Sequence, residues 1–170
     1  MNNDLEFPEE NDDIFLQYQQ KMKNQKLLNK ETFLKLINET LKELNDYAII
    51  GGSAFNVYVK NEFKITTGDL DIKVFSVSSK EGGKLMFNKW INNFETILKH
   101  KLQDFNLSNI DIKDFTVSTS DGEIPVHQLL FNSNLGLGPV PILDIVYYPR
   151  EIPVNIIDGL RYAKPSFLLS

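Results

Sequence analysis

The sequence predicts an α/β (α+β) domain in which a mixed central β-sheet is flanked by helices. Two patterns predict it: apolar residues recur every three or four positions in some segments, and short apolar or alternating runs of strand type lie between them. An Asp-Gly pair between two such runs adds a hairpin. With 42% hydrophobic residues in 170, the chain suits one domain with a real core, predicted at 12–170 after a loose, acidic tail at 1–11.

Composition excludes several classes of protein. The chain has no cysteine, which rules out disulfides and Cys-based zinc sites and fits a reducing, cytoplasmic compartment. No run of about 18 apolar residues is present, so no membrane span is predicted. The acidic first residues lack the basic and apolar regions of a signal peptide. A net charge of −5 argues against a surface that grips nucleic acid over its whole area, but it leaves room for a local basic groove.

The first elements follow from helical periodicity. A helix is predicted over about 12–28, with its apolar residues on one side. A second helix is predicted over about 30–44, with Asn29 as its N-cap. A short apolar strand over about 46–50 comes next, and it ends at the Gly51-Gly52 pair.

A glycine corner, a helix, a strand and a long helix follow. A short helix is predicted over about 53–60, with Ser53 as its cap. The strand predicted over about 67–77 alternates polar and apolar residues, so its two faces differ. The long amphipathic helix is predicted over about 83–102.

The last third of the chain is predicted to be mostly strand. Strands over about 112–118 and 125–131 form the two arms of the hairpin. A Gly-rich connection over 132–141 leads to an apolar strand over about 142–148. The end, from about 155 to 170, is predicted as a turn with two short helical pieces around Pro165.

Asp69 and Asp71 form the most informative pair in the chain. Residues i and i+2 of a strand project to one face, roughly 6.5–7 Å apart along the chain. Two carboxylates this close repel, and each raises the pKa of the other unless a cation lies between them. Mg²⁺ binds through one or two carboxylates plus substrate phosphates, so the pair is a natural magnesium site. The alternative is a solvent-facing strand that carries two charges.

Asp144 interrupts an otherwise apolar strand segment, 142–146. Burial of an unpaired carboxylate costs several kcal/mol, so such a residue needs compensation. A metal ion is one form of compensation, and a nearby Lys or Arg is the structural alternative. If the strands are adjacent, Asp69, Asp71 and Asp144 together make a two-metal site.

The Gly51-Gly52-Ser53 corner lies 17 residues upstream of Asp69. Glycine lets the backbone approach a ligand closely, and the N–H groups at a helix start attract phosphate. The alternative is an ordinary strand–helix turn. The segment matches neither the P-loop pattern nor the dinucleotide-binding pattern.

These three elements together resemble the nucleotidyltransferase superfamily of polymerase β type. The resemblance rests on Gly51-Gly52-Ser53, on Asp69-x-Asp71 and on Asp144, and it covers about residues 45–165. Within that superfamily the chain is most similar to the poly(A) polymerase catalytic subunits of large DNA viruses, of the poxvirus, mimivirus and asfarvirus kind. That finer likeness is carried by the segments 142–148 and 159–169.

The resemblance implies a nucleotidyltransferase fold and a role for each matched residue. Asp69, Asp71 and Asp144 would be the catalytic metal ligands for two Mg²⁺ (or Mn²⁺) ions. The substrate would be ATP, and the acceptor would be the 3′ end of a single-stranded RNA, to which AMP is added with release of pyrophosphate. The residues that would bind the nucleotide are Gly51, Gly52, Ser53 and Lys164. For Lys164, an ordinary solvated lysine beside Pro165 is the alternative.

Two other functions stay open at this point. One is a toxin-type nucleotidyltransferase that modifies tRNA or protein, and the other is an inactive subunit of the same fold that only binds a partner. Poly(A) polymerases carry a further helical domain, whereas this chain stops at Ser170. We therefore expect either a fragment or a reduced protein whose second half is supplied elsewhere. Association with a second copy or with another protein is left open. A viral protein would act in the host cytoplasm or the virion.

Overall fold

The computed structural model describes residues 13–17, 25–76, 80–133 and 136–169. The tail predicted at 1–11 lies outside these residues. A seven-stranded sheet forms the centre of the fold, and a two-stranded sheet lies beside it. No helix among the described residues has the length and apolar character needed to cross a membrane.

The helices lie before, between and after the strands in sequence. Residues 13–17 are helical (α1). The other helices are α2 (Lys30–Leu41), α3 (Gly51–Tyr58), α4 (Lys80–Lys101) and α5 (Pro165–Leu168), with a 3₁₀ turn at Asn61–Phe63. Asn29 caps α2 as predicted, because its Oδ1 accepts a hydrogen bond from the backbone N–H of Thr32 at 2.8 Å.

The strands contribute to two sheets. The small sheet consists of β1 (Lys26–Leu27) and β4 (Phe105–Asn106). The strands of the large sheet are β2 (Tyr47–Ile50), β3 (Leu70–Phe75), β5 (Ile110–Thr119), β6 (Gly122–Asn132), β7 (Pro139–Tyr148), β8 (Val154–Ile157) and β9 (Leu160–Ala163).

The large sheet mixes parallel and antiparallel neighbours, and its order is β5-β6-β7-β3-β2-β9-β8. Strand β3 is antiparallel to β2 and parallel to β7, while β9 is parallel to β2. The pairs β5–β6, β6–β7 and β8–β9 are antiparallel. The predicted mixed sheet with flanking helices is therefore confirmed.

The core divides between the two faces of the sheet. The larger cluster includes side chains of α2, α4 and the sheet, among them Phe33, Phe94 and Ile72. The smaller cluster surrounds Ala48 and Ala163 and includes residues of α5. Along β3 the alternation holds as predicted, since Ile72 joins the large cluster and Phe75 the small one.

The first predicted helix is wrong at its C-terminal part. Residues 13–17 are helical, but Lys26–Leu27 is a strand, and 18–24 lie outside the described residues. The physical reason is a distant partner: Lys26 donates its backbone N–H to the carbonyl of Asp104 at 2.9 Å, and the strand pairs in parallel with β4. Local periodicity cannot reveal a partner so far away in sequence.

The C-terminal prediction is also wrong, because a hairpin precedes the one short helix. Strands β8 and β9 pair across Asp158-Gly159, whose φ angles of 52° and 83° are both positive. An Asp-Gly pair with two positive φ angles is the usual signature of a two-residue hairpin turn. The signal was present in the sequence. Of the two predicted helical pieces, α5 is the one found among the described residues 155–169.

Candidate functional site

Three strands bring the predicted acidic residues to one place in the sheet. The C-terminal end of β2 lies beside the N-terminal part of β3, with Ile50 opposite Asp71. On the other side of β3, Asp71 is the register partner of Asp144 on β7. Asp69 lies just before β3, one residue ahead of its first strand residue, Leu70. The parallel pairing of β3 and β7 therefore makes neighbours of the Asp69/Asp71 pair and Asp144, which are far apart in the sequence.

The three carboxylates form a cluster, with one oxygen from each within 4.8 Å of the others. All three residues are half-buried, so Asp144 is less deeply enclosed than its apolar sequence context suggested. Carboxylate oxygens are the ligands that Mg²⁺ and Mn²⁺ prefer, and a separation of this size suits shared coordination. The structure therefore brings together every acidic residue predicted for the site.

The electrostatics of the cluster are those of crowded like charges. Burial, reinforced by the charges of Asp69 and Asp144, raises the pKa of Asp71 to about 6. Burial also raises the pKa of Asp144. The hydrogen bond from Gln128 lowers this pKa, whereas the nearby Asp69 raises it further. A divalent cation among these oxygens would relieve the repulsion.

Gln128 is a site residue that sequence reasoning missed. It lies on β6 opposite Asp144, and its Nε2 donates a hydrogen bond to Asp144 Oδ1 at 2.8 Å. Nothing local in the sequence marks it, because a glutamine in a hairpin strand is ordinary. Only the register of β6 against β7 brings it to the carboxylate.

The glycine corner lies directly against the cluster. Gly51 has φ +68°, and a Cβ placed on it would lie 2.9 Å from Asp71 Oδ2. Gly52 is similarly crowded, since a Cβ there would lie 2.9 Å from Thr67 Cγ2. Position 51 therefore favours glycine for its backbone conformation as well as for space, whereas a side chain at Gly52 would require Thr67 to shift.

Helix α3 begins at Gly51, two residues earlier than predicted. Ile50 occupies the N-cap position, and no side chain caps the helix there. Ser53 lies inside the first turn, so the prediction that Ser53 caps the helix is wrong. The positive φ of Gly51 is what allows the chain to turn from β2 into the helix immediately. The first-turn N–H groups are thus left without a side-chain cap, next to the carboxylates.

Lys164 lies at the same edge of the sheet but further from the carboxylates. Strand β9 is parallel to β2, so Lys164, which follows β9, lies at the end of the sheet where Gly51 follows β2. Its side chain is exposed, and its backbone N–H donates to the carbonyl of Pro153 at 2.9 Å. The structure thus places Lys164 one strand beyond the glycine corner.

Comparisons with known proteins give matches among solved structures alone. No protein-family model matches the sequence, and no curated protein matches it. The chain is similar to a putative nucleotidyltransferase from H. pylori at 16% identity and a TM-score of 0.46, covering 84% of this chain and 57% of that one. It is also similar to the Cid1 poly(U) polymerase bound to MgGTP, at 14% identity and a TM-score of 0.32, covering 76% of this chain and 36% of that one.

Proposed function

We propose that this chain is a metal-dependent nucleotidyltransferase domain, and that it adds AMP from ATP to RNA 3′ ends. The observation that carries the general proposal is the approach of three carboxylates to within 4.8 Å of one another beside an uncapped helix start. Metal-binding oxygens and phosphate-binding N–H groups are the two components that a nucleoside triphosphate needs. The choice of ATP and RNA rests on the family resemblance of the sequence.

The donor set fits divalent magnesium or manganese. Asp69, Asp71 and Asp144 supply oxygens alone, and no histidine or cysteine adds a softer ligand to the cluster. Asp69 and Asp71 would hold both ions, and Asp144 would complete the shell of the second. When bound, such ions neutralise the charge of the triphosphate and make an acceptor hydroxyl more acidic.

In the proposed transfer, different residues of the chain bind the triphosphate and activate the acceptor hydroxyl. The oxygen of the acceptor hydroxyl forms a new bond to the α-phosphorus, while the bond from the α-phosphorus to the bridging oxygen breaks and pyrophosphate leaves with that electron pair. Asp144 would accept the hydrogen bond of the acceptor hydroxyl and take up its proton. Gly51, Gly52 and Ser53 would hold the triphosphate through backbone N–H groups and the Ser53 hydroxyl.

The test is incubation with each of the four labelled ribonucleoside triphosphates, with Mg²⁺ or Mn²⁺, and with a short single-stranded RNA. We expect a ladder of extended products with ATP. Asp69→Ala and Asp71→Ala should lower incorporation by more than about 100-fold, because loss of a metal ligand costs more than loss of a supporting contact. Asp111→Ala is the matched control, since Asp111 is an exposed aspartate on β5.

Two results would overturn the proposal. If both site variants extend RNA as well as the wild type, the carboxylates do not carry the reaction. If instead the wild type adds one nucleotide to a defined tRNA or protein and leaves the RNA primer unextended, the toxin-type activity replaces RNA tailing. The second result would keep the metal site and change the acceptor.

A further inference from the structure

We infer that Gln128 is a positioning residue that sets the orientation of the Asp144 carboxylate for metal binding; this inference rests on the proposed function. The two residues are register partners on the antiparallel strands β6 and β7. The amide Nε2 of Gln128 donates to Asp144 Oδ1 at 2.8 Å, and both side chains are half-buried. Because this amide belongs to a different strand from every carboxylate of the cluster, it ties β6 to the site.

A single N–H donor has a definite effect on a carboxylate. An aspartate side chain turns about its last torsion with little resistance, since terminal bonds to planar groups have broad torsional minima. A hydrogen bond to Oδ1 fixes that torsion and leaves Oδ2 of the same carboxylate without this donor. Supporting contacts of this kind, made to a ligand rather than to the metal, orient the ligand and raise metal affinity.

The chemistry of an amide suits this position better than that of a lysine. An ammonium group at the same distance would place a positive charge where the cation has to bind. The amide is neutral, so it orients Asp144 while the negative charge of the cluster remains available to the metal. Among the described residues, Gln128 is the one side chain outside the cluster that donates a hydrogen bond to Asp69, Asp71 or Asp144.

The backbone next to Gln128 supports the same interpretation. The register of β6 against β7 shifts immediately after this pair: Leu129 is opposite Leu143, but Leu130 is opposite Pro141. The shift leaves Ile142 as an extra residue on β7, and both Ile142 and Leu143 are fully buried. Bulges re-aim side chains near active sites, and here buried side chains anchor the bulge two residues before Asp144.

The experiment compares the Mn²⁺ affinity of Gln128→Met with that of the wild type. Each protein is titrated with Mn²⁺ alone, and the free ion is measured by electron paramagnetic resonance. Methionine has a similar length and cannot donate the hydrogen bond. We expect the Mn²⁺ dissociation constant to rise about 10–100-fold. The matched control is Gln103→Met, the same chemical change at an exposed turn position, which should leave the constant unchanged. Thermal unfolding of each variant, followed by circular dichroism, separates loss of stability from loss of metal affinity.

The possible outcomes are distinct. A rise for Gln128→Met alone, at a temperature where all variants are folded, supports the inference. If Gln128→Met unfolds earlier but binds Mn²⁺ within twofold of the wild type, the hydrogen bond only stabilises the sheet and the inference is overturned. If the wild type itself binds no Mn²⁺, the metal site of the proposed function fails, and the inference fails with it.

Discussion

Two acidic clusters lie on opposite faces of the sheet, and they differ in how their charge is compensated. On one face, within the described residues, the side chains that contact the carboxylates of Asp69, Asp71 and Asp144 are those of the cluster itself and the Gln128 amide. On the other face, the ring of buried His127 lies between two carboxylates, with Nδ1 2.6 Å from Asp114 and Nε2 3.5 Å from Glu95. Because His127 and Gln128 are consecutive on β6, their side chains leave the strand on opposite sides.

The difference separates a structural cluster from a candidate binding cluster. His127 joins β6 to β5 through Asp114 and to α4 through Glu95, so the chain itself supplies the group between these carboxylates. The hydrogen bond is the one between Nδ1 and Asp114, whereas Nε2 lies 3.5 Å from Glu95 without a hydrogen bond. Among the described residues no Lys, Arg or His forms an ion pair with the aspartate cluster, so a cation from solution is what would balance its charge.

The largest expected difference between the clusters is their response to metal. A ligand that binds only the folded state, at 100 times its dissociation constant, stabilises the protein by about 2.7 kcal/mol. We therefore expect Mn²⁺ at that excess to raise the unfolding temperature of the wild type and of Glu95→Gln. The same Mn²⁺ excess should leave the unfolding temperatures of Asp69→Ala and Asp71→Ala unchanged. An equal rise in all four proteins would show that Mn²⁺ acts elsewhere on the chain.

The next largest effect is expected at the histidine cluster, where a substitution should lower the free energy of unfolding. Replacing His127 by Leu keeps a similar apolar volume but leaves Glu95 and Asp114 without the ring between them. We expect a loss of about 1–3 kcal/mol in the free energy of unfolding, measured with urea. The Mn²⁺ dissociation constant should not change. A large change in that constant would mean that the two faces are coupled through β6. The two clusters would then not be independent, contrary to the distinction drawn between them.

Gly51 tests how closely the backbone confines the aspartate cluster. An alanine there would have to adopt φ +68° and place its Cβ 2.9 Å from Asp71 Oδ2. The left-handed conformation alone costs about 1–2 kcal/mol for a residue other than glycine. We expect Gly51→Ala to lose stability by that amount and to weaken Mn²⁺ binding, because Asp71 must move. The control is Gly68→Ala, since a Cβ at Gly68 meets no atom within 4 Å.

Sequence reasoning located the candidate site because its features are local. The alternation around Asp69 and Asp71, the apolar run around Asp144 and the glycine pair are each visible within a few residues. The mixed sheet followed from the same patterns. What brought the three features together was the parallel pairing of β3 with β7, which the sequence suggested only through the family resemblance.

The features that sequence reasoning missed depend on distant partners. The amide of Gln128 and the strand at Lys26–Leu27 are defined by pairing with other strands. The His127 cluster joins β5, β6 and α4, and no motif marks it. The hairpin at Asp158-Gly159 is different, because its turn signal is local: both residues have positive φ angles, and an Asp-Gly pair favours them.

The smallest expected effect is a pH dependence of stability that arises in the aspartate cluster. The pKa of Asp71 is about 6 in the folded chain, above the value of about 4 for an unfolded aspartate. Between these two values the folded state therefore holds more protons than the unfolded state. The contribution of Asp71 to the stability of the metal-free protein falls as pH rises from about 4 to about 6, and then stays low.

Asp71→Asn removes this charge while keeping the size of the side chain. At pH 7 without metal, the variant should be more stable than the wild type by at most about 1 kcal/mol, since Asp71 is half-exposed and solvent screens its interactions. For a chain of this size that is about 2–4 °C in unfolding temperature. At about pH 3, below both pKa values, the two proteins should unfold at the same temperature, because Asp71 is then protonated in the folded and the unfolded state. Asp121→Asn is the control, since Asp121 is paired with Arg150 at 2.8 Å and should lose stability instead. A wild type more stable than Asp71→Asn at pH 7 would show that the aspartate cluster already contains a balancing positive charge.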